Sequence, residues 1–220
     1  MFVGHAAVAL AAKPLVPERS LGVLLGATLL LDLVWPVLLL AGVEQVAVVP
    51  GHTAFAPLVF VHYPWTHSLL MSVGWGLLCG VVVLRGRVRP VRELLLVSAL
   101  VVSHWVLDAV AHRPDLPLVP GLAPVVGLGL WRSVPATFIV EGALFGWGVS
   151  RYVRATRAGN RTGSWALWTL CGLMVVIWAS GPFSPPPPNA VAIGLVGVLS
   201  WLLPAWAWWA DRHRVSVRNM

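Results

Sequence analysis

The stretch "VRELLLVSALVVSHWVLDAVAHR" (residues 91–113) decides how the rest of the chain reads. Its apolar run approaches the roughly 20 residues that cross a hydrocarbon core of about 30 Å. Yet His104, Asp108 and His112 recur at every fourth position, and a helix stacks such residues along one face. Ionisable groups on a membrane helix face the interior of a bundle or a wet cavity, and they mark function.

The whole chain supports a membrane setting. Of 220 residues, 58% are hydrophobic and 10% charged, and the mean hydropathy is +0.83. A soluble domain carries roughly a quarter charged residues. The alternating pattern of an outer-membrane barrel is missing. The expected fold is therefore all-α, a polytopic transmembrane helical bundle forming one domain over residues 1–220. About six spans are expected, near 20–42, 67–85, 91–110, 134–152, 163–181 and 190–210.

The net charge of +7 does not point to nucleic acid, because the arginines form short clusters between apolar segments. Arg85, Arg87, Arg89 and Arg92 fill one loop, Arg151, Arg154, Arg157 and Arg161 another, and Arg212, Arg214 and Arg218 the tail. The intervening loops 43–66 and 182–189 have neither Lys nor Arg. The positive-inside rule then places the clusters and the C-terminus in the cytoplasm, with anionic lipid headgroups as their partners. Trp206, Trp208 and Trp209, like Tyr63 and Trp65, sit where interfacial aromatic belts are expected. Cys79 and Cys171 fall in separate apolar segments and read as buried thiols. No positive charge precedes the apolar run "MFVGHAAVALAAK", so a cleaved signal peptide is not expected.

Residues 3–13 make about 16 Å of helix, only half a membrane. They read as an N-terminal half-helix that turns at "KPLVPER" (13–19) and lies antiparallel to the first full span. Irregular backbone at that depth is tolerated only against protein or a wet cavity. Rise per residue then sets the depths. Asp32 and His5 come to about 18 Å from the cytoplasmic face, His104 to about 20 Å and Glu141 to about 18 Å. Asp108 and His112 continue outward, and His67 begins the second span. Four elements thus bring acids or imidazoles to the outer half of one membrane.

Imidazoles and carboxylates without thiolates suit a divalent ion, zinc first, with manganese or iron as alternatives. The candidate ligands are His5, Asp32, His67, His104 and Asp108. Glu141 is the candidate general base, and His62, His112, Arg113 and Arg132 are candidates for a second layer or a substrate rim. His52 and His213 read as solvated, and His112 also reads as a cap on the third span.

The segments "VGHAAVALAAK" (3–13), "LLLDLVWP" (29–36), "HYPWTHSLL" (62–70) and "SHWVLDAVAHRPDLPL" (103–118) resemble the motif series of the YdjM-like family. These are small bacterial inner-membrane proteins labelled membrane-bound metal-dependent hydrolases. The resemblance covers roughly residues 1–120 and implies that His5, Asp32, His62, His67, His104 and Asp108 occupy the family's polar positions. It also implies an inner-membrane location. The family usually continues its first acid as D-x-D-H, whereas Val34 and Trp35 stand in those places here.

Two main function classes follow. One is a metal hydrolase acting on a lipid or lipid-linked phosphate or ester, in which an ion lowers the pKa of water to near 7 and Glu141 serves as base. The chain has no Ser nucleophile elbow or Gly-rich phosphate loop to compete with this chemistry. The other is a small permease or proton or cation pathway using the same residues. A haem or quinone protein with His5 and His104 as axial ligands is a third class, which an absorption spectrum would reject.

Overall fold

Helix α1 (Phe2–Ala12) lies at the centre of the computed structural model, and its composition explains why. Nine of its eleven residues are buried, as expected of a helix that is apolar all round. Its alanines let neighbours approach closely. A Cβ on Gly148 would lie 2.4 Å from the Ala7 carbonyl oxygen, so α7 (Val134–Ala155) touches the α1 backbone directly there. The structure describes residues 1–84 and 91–217, and only the backbone of residues 123 and 124. Arg85, Arg87, Arg89 and Arg218 lie outside the described residues.

After α1 the chain makes a 3-10 turn at Lys13–Leu15. Ser20 then caps α2 (Leu21–Thr28) by accepting from the Val23 amide. The expected first span is two half-helices here: α2 and α3 (Leu30–Leu40) meet at 56°. At the bend the His104 imidazole reaches the Thr28 carbonyl at 2.8 Å. A side chain inserted at the backbone ladder is a known cause of such breaks.

A one-turn helix α4 (Pro64–His67) precedes α5 (Leu69–Leu84), which pairs with α6 (Val91–Ala111). Asn160 caps α8 (Arg161–Ser180). Then α9 (Ala190–Val198) passes through a 3-10 turn into α10 (Leu202–Arg212). Among the described residues, three helical segments are long and apolar enough to cross a membrane: Val91–Ala111, Arg161–Phe183 and Ala190–Arg212. The bent α2–α3 pair makes a fourth if it counts as one span. Helix α5, at 16 residues, is shorter, and α7 carries Glu141, Arg151 and Arg154. Large apolar side chains are exposed on α5 (Val82), α8 (Val176) and α9 (Val196), each more than 60% accessible.

The loops are less irregular than an all-helical reading expects. Among the described residues there are three two-stranded antiparallel sheets: the hairpins β1 (Gln45–Val48) with β2 (Leu58–His62) and β3 (Leu116–Val119) with β4 (Leu122–Val126), and the long-range pair β5 (Thr156–Ala158) with β6 (Arg214–Ser216). Beneath the first two, Trp35, Leu39, Val46, Tyr63, Trp105 and Leu116 form a second apolar core. Burial and the Asp115 carboxylate push the Tyr63 hydroxyl pKa up, so it remains a donor to Asp115 at 3.1 Å. At the other end, Lys13 pairs with Asp211 at 2.7 Å, and Asp211 also accepts from the Leu21 amide and the Tyr152 hydroxyl. This knot ties the α1–α2 turn to α7 and α10. Arg19 pairs with Glu93, joining the same turn to the start of α6.

Candidate metal centre

Five ionisable side chains from four helices converge. His104 and Asp108 share one face of α6, as their four-residue spacing requires. The bend at Leu29 turns Asp32, in the first turn of α3, toward them. The single turn of α4 delivers His67, and α1 delivers His5.

The distances are short. His104 Nε2 lies 3.1 Å from Asp108 Oδ2 and 3.6 Å from Asp32 Oδ1. His67 Nε2 lies 3.4 Å from the same Asp32 oxygen and 3.8 Å from Asp108 Oδ2. His5 Nε2 lies 3.1 Å from Asp108 Oδ1, and its ring stacks on His104 with centroids 3.7 Å apart. The Met1 amino group also meets Asp108. All five side chains are buried except Asp32, which is 38% accessible.

Among the described residues, two triads satisfy the spacing of a metal site, His5–His104–Asp108 and Asp32–His67–His104, with ligand atoms within 4.8 Å of one another. A tetrahedral site with arms of about 2.0–2.1 Å separates neighbouring ligand atoms by roughly 3.3 Å. The observed separations of 3.1 to 3.8 Å bracket that value.

Tautomers sharpen the fit. A carbonyl oxygen only accepts, so His104 Nδ1 carries the proton that meets Thr28. In the neutral ring, His104 Nε2 then presents a lone pair to two carboxylates. Although Asp108 lies 3.1 Å away, neither His104 Nε2 nor His5 Nε2 makes an aligned hydrogen bond. In that form acceptor faces acceptor, a conflict that a bound cation or a second ring proton would relieve. Metal-binding histidines commonly donate their other ring N–H to a backbone carbonyl in this way.

The remaining expected residues fall elsewhere. Glu141 is fully buried on α7. The Trp131 indole donates to its Oε1 at 3.3 Å, Oε2 has no partner, and the residue belongs to neither triad. His112 is buried at the end of α6, with Nδ1 3.2 Å from Asp115 and its ring against Trp131 and Phe60. His62 is exposed at the end of β2 and belongs to neither triad. Arg113 contacts the His52 ring at 3.1 Å, so His52 is a half-buried partner of Arg113 rather than freely solvated. Arg132 lies beside Gly129. His213 is half-buried against Asn160. Cys79 and Cys171 are both free.

Sequence reasoning missed Glu44 and Thr66. Glu44 is 1% exposed, and its Oε1 accepts from the Trp65 and Thr66 amides at 2.8 and 2.9 Å. Its Oε2 accepts from the Thr66 hydroxyl at 2.7 Å, and that hydroxyl lies 2.7 Å from His67 Nδ1. The only sequence signal was an acid in a loop without basic residues.

A cavity of about 570 Å³ runs between α3 and α9, walled by Phe2, Leu29, Trp35, Ile193 and Val196. Among the described residues, Asp32 is the one charged residue that lines it. No family model matches the chain, and neither a curated protein nor a solved structure matches it.

Proposed function

We propose that the chain is a six-span inner-membrane protein that binds one divalent transition-metal ion, zinc first, and hydrolyses a phosphate or ester linkage in a lipid. The observation that carries the reading is His104: its Nδ1 is held by a backbone carbonyl while its Nε2 points, unpartnered, at two carboxylates. Both triads include His104, and with Nδ1 held by Thr28 only its Nε2 is left to share, so they cannot fill at once, and one ion per chain follows.

The topology has support from which segments meet. The α7–α8 connection pairs with the tail through β5–β6, and Lys13 and Arg19 join the α1–α2 turn to Asp211 and Glu93. These segments belong to the side that the arginine pattern assigns to the cytoplasm. Residues 50–57 and 181–186 line a common pocket, which suits loops sharing the opposite side.

A bound ion supplies Lewis acidity and activates water. The chain's own residues do the rest. Glu141, held by Trp131, accepts the proton of the attacking water through its unpartnered Oε2. The apolar cavity receives the hydrocarbon part of the substrate, and Asp32 marks where its polar linkage meets the centre. The resemblance to the YdjM-like family agrees with this assignment. A second reading, a cation or proton pathway, is favoured by the broken α2–α3 span with Asp32 beside the break.

Metal content tests the proposal. Purified protein should hold near-stoichiometric metal by mass spectrometry. His104→Ala should lose it, Asp108→Ala should weaken it because Asp32–His67–His104 survives, and His213→Ala should keep it. A metal-free protein, unaffected by chelators, that conducts cations or protons in liposomes would establish the second reading instead.

A further inference from the structure

We infer that Glu44 and Thr66 are positioning residues that lock His67 in the tautomer needed to bind a cation; the inference rests on the metal-site reading above. An ionised carboxylate only accepts, and Glu44 accepts three hydrogen bonds from residues 65 and 66. Thr66 has one hydroxyl proton, and it goes to Glu44 Oε2. Toward His67 the hydroxyl oxygen therefore accepts, and Nδ1 at 2.7 Å must be the protonated ring nitrogen. Nε2 is left with its lone pair, aimed at Asp32 and Asp108.

The chain Glu44–Thr66–His67 thus does for His67 what the Thr28 carbonyl does for His104. Both imidazoles present bare Nε2 atoms to the same carboxylates, although they come from different helices and use different partners. The buried charge of Glu44 polarises the hydroxyl and raises the basicity of the imidazole beyond it. The two backbone bonds to Oε1 hold the carboxylate itself, because they cap the short helix that carries His67. Each oxygen of Glu44 has a separate task, and a substitution can remove one without the other.

Glu44→Gln is the discriminating variant. The amide oxygen keeps both backbone bonds, while the amide nitrogen must donate to the Thr66 hydroxyl. That reverses the chain: Thr66 turns its proton toward His67 Nδ1, and Nε2 acquires the hydrogen that blocks a cation. Outer partners of ligands typically contribute 10- to 100-fold in metal affinity. Glu44→Gln and Thr66→Val should each weaken zinc by that factor, and Thr66→Ser should restore it. Nitrogen-15 NMR of histidine-labelled protein reads the tautomer directly. Zinc-loaded wild type, and metal-free wild type at alkaline pH, should show the Nδ1–H form of His67, and metal-free Glu44→Gln should show Nε2–H. An Nε2–H form in the wild type would overturn the inference, as would wild-type zinc affinity in both Glu44→Gln and Thr66→Val. If the wild type binds no zinc but His67 still changes tautomer on Glu44→Gln, the positioning role stands and the metal reading alone falls.

Discussion

Removing His104 tests the centre more severely than removing any other ligand, because it is the one residue common to both triads. His5→Ala leaves Asp32–His67–His104 complete, and His67→Ala leaves His5–His104–Asp108 complete. His104→Ala leaves neither. Structural zinc sites bind with about 10–16 kcal/mol shared among four ligands, or roughly 3 kcal/mol per ligand. At 1.4 kcal/mol per factor of ten, His104→Ala should weaken zinc by about 100-fold. His5→Ala and His67→Ala should each cost less, since the ion can settle on the surviving triad. Competition against a chromophoric chelator in detergent micelles measures all three. Thermal melts in excess chelator show whether loss of the His5–His104 stack and of the Thr28 bond has damaged the fold. Equal losses for the three variants would refute shared use of His104 and indicate one centre that engages all five side chains. Wild-type affinity in His104→Ala would remove the centre altogether.

Three further outcomes follow from the same geometry. Glu141→Gln should retain the metal, because Glu141 belongs to neither triad, and should lower lipid-linkage turnover by roughly 100- to 10,000-fold, the usual worth of a general base. If this variant loses metal, Glu141 is a ligand and not the base. Reporters fused after Arg157 should read cytoplasm and one at Pro186 should read outside, and a cytoplasmic signal at Pro186 would eliminate six spans. Gly148→Leu should cost about 1–3 kcal/mol by overpacking and loosen the metal, because its Cβ would press on the α1 backbone two residues from His5; unchanged melting and affinity would show that α1 does not need this close approach.

The convergence on α6 was legible because a four-residue repeat has one meaning on a helix: His104 and Asp108 had to share a face. Asp32 and His5 were legible for a related reason, as ionisable groups in apolar surroundings. The bend at Leu29 was not legible. Neither Gly nor Pro stands there to announce it, and its visible partner, His104, lies 76 positions away. The hairpins escaped because short loop segments flanking apolar spans carry no sustained alternation. In the sequence His62 and His112 rank below His67, as second-layer or rim candidates, and the structure separates all three by placement. His62 ends a strand on the exposed side, whereas His112 sits one turn beyond Asp108, where α6 has already ended against Trp131. Glu44 could not be ranked from sequence, because its importance lies in two backbone amides and one hydroxyl that only the fold assembles.

The molecule contains its own comparison for deciding whether the His/Asp cluster is a site or merely buried polar packing. At the opposite end, Asp211 receives a lysine, a tyrosine hydroxyl and a backbone amide, so every acceptor faces a donor. Such a knot is closed. The cluster around His104 is open. Among the described residues, seven buried side-chain atoms lack a partner; three belong to His5 and His104, and a fourth is Glu141 Oε2. Packing networks satisfy their polar groups, and acceptors aimed at acceptors are kept only at a cost to stability, as functional sites are. The two aspartates should therefore respond oppositely to the same change. Asp211→Asn breaks a buried ion pair and should destabilise the protein by about 3–5 kcal/mol. Asp32→Asn places an amide donor where Oδ1 faces the bare nitrogens of His67 and His104 at 3.4 and 3.6 Å. One added hydrogen bond contributes about 1 kcal/mol, which at this chain length raises the metal-free melting temperature by roughly 2–4 °C. The same variant should weaken metal binding, with His5–His104–Asp108 still complete. If Asp32→Asn in chelator melts below the wild type, as Asp211→Asn should, the cluster is a second structural knot and its apparent vacancy for a cation is wrong.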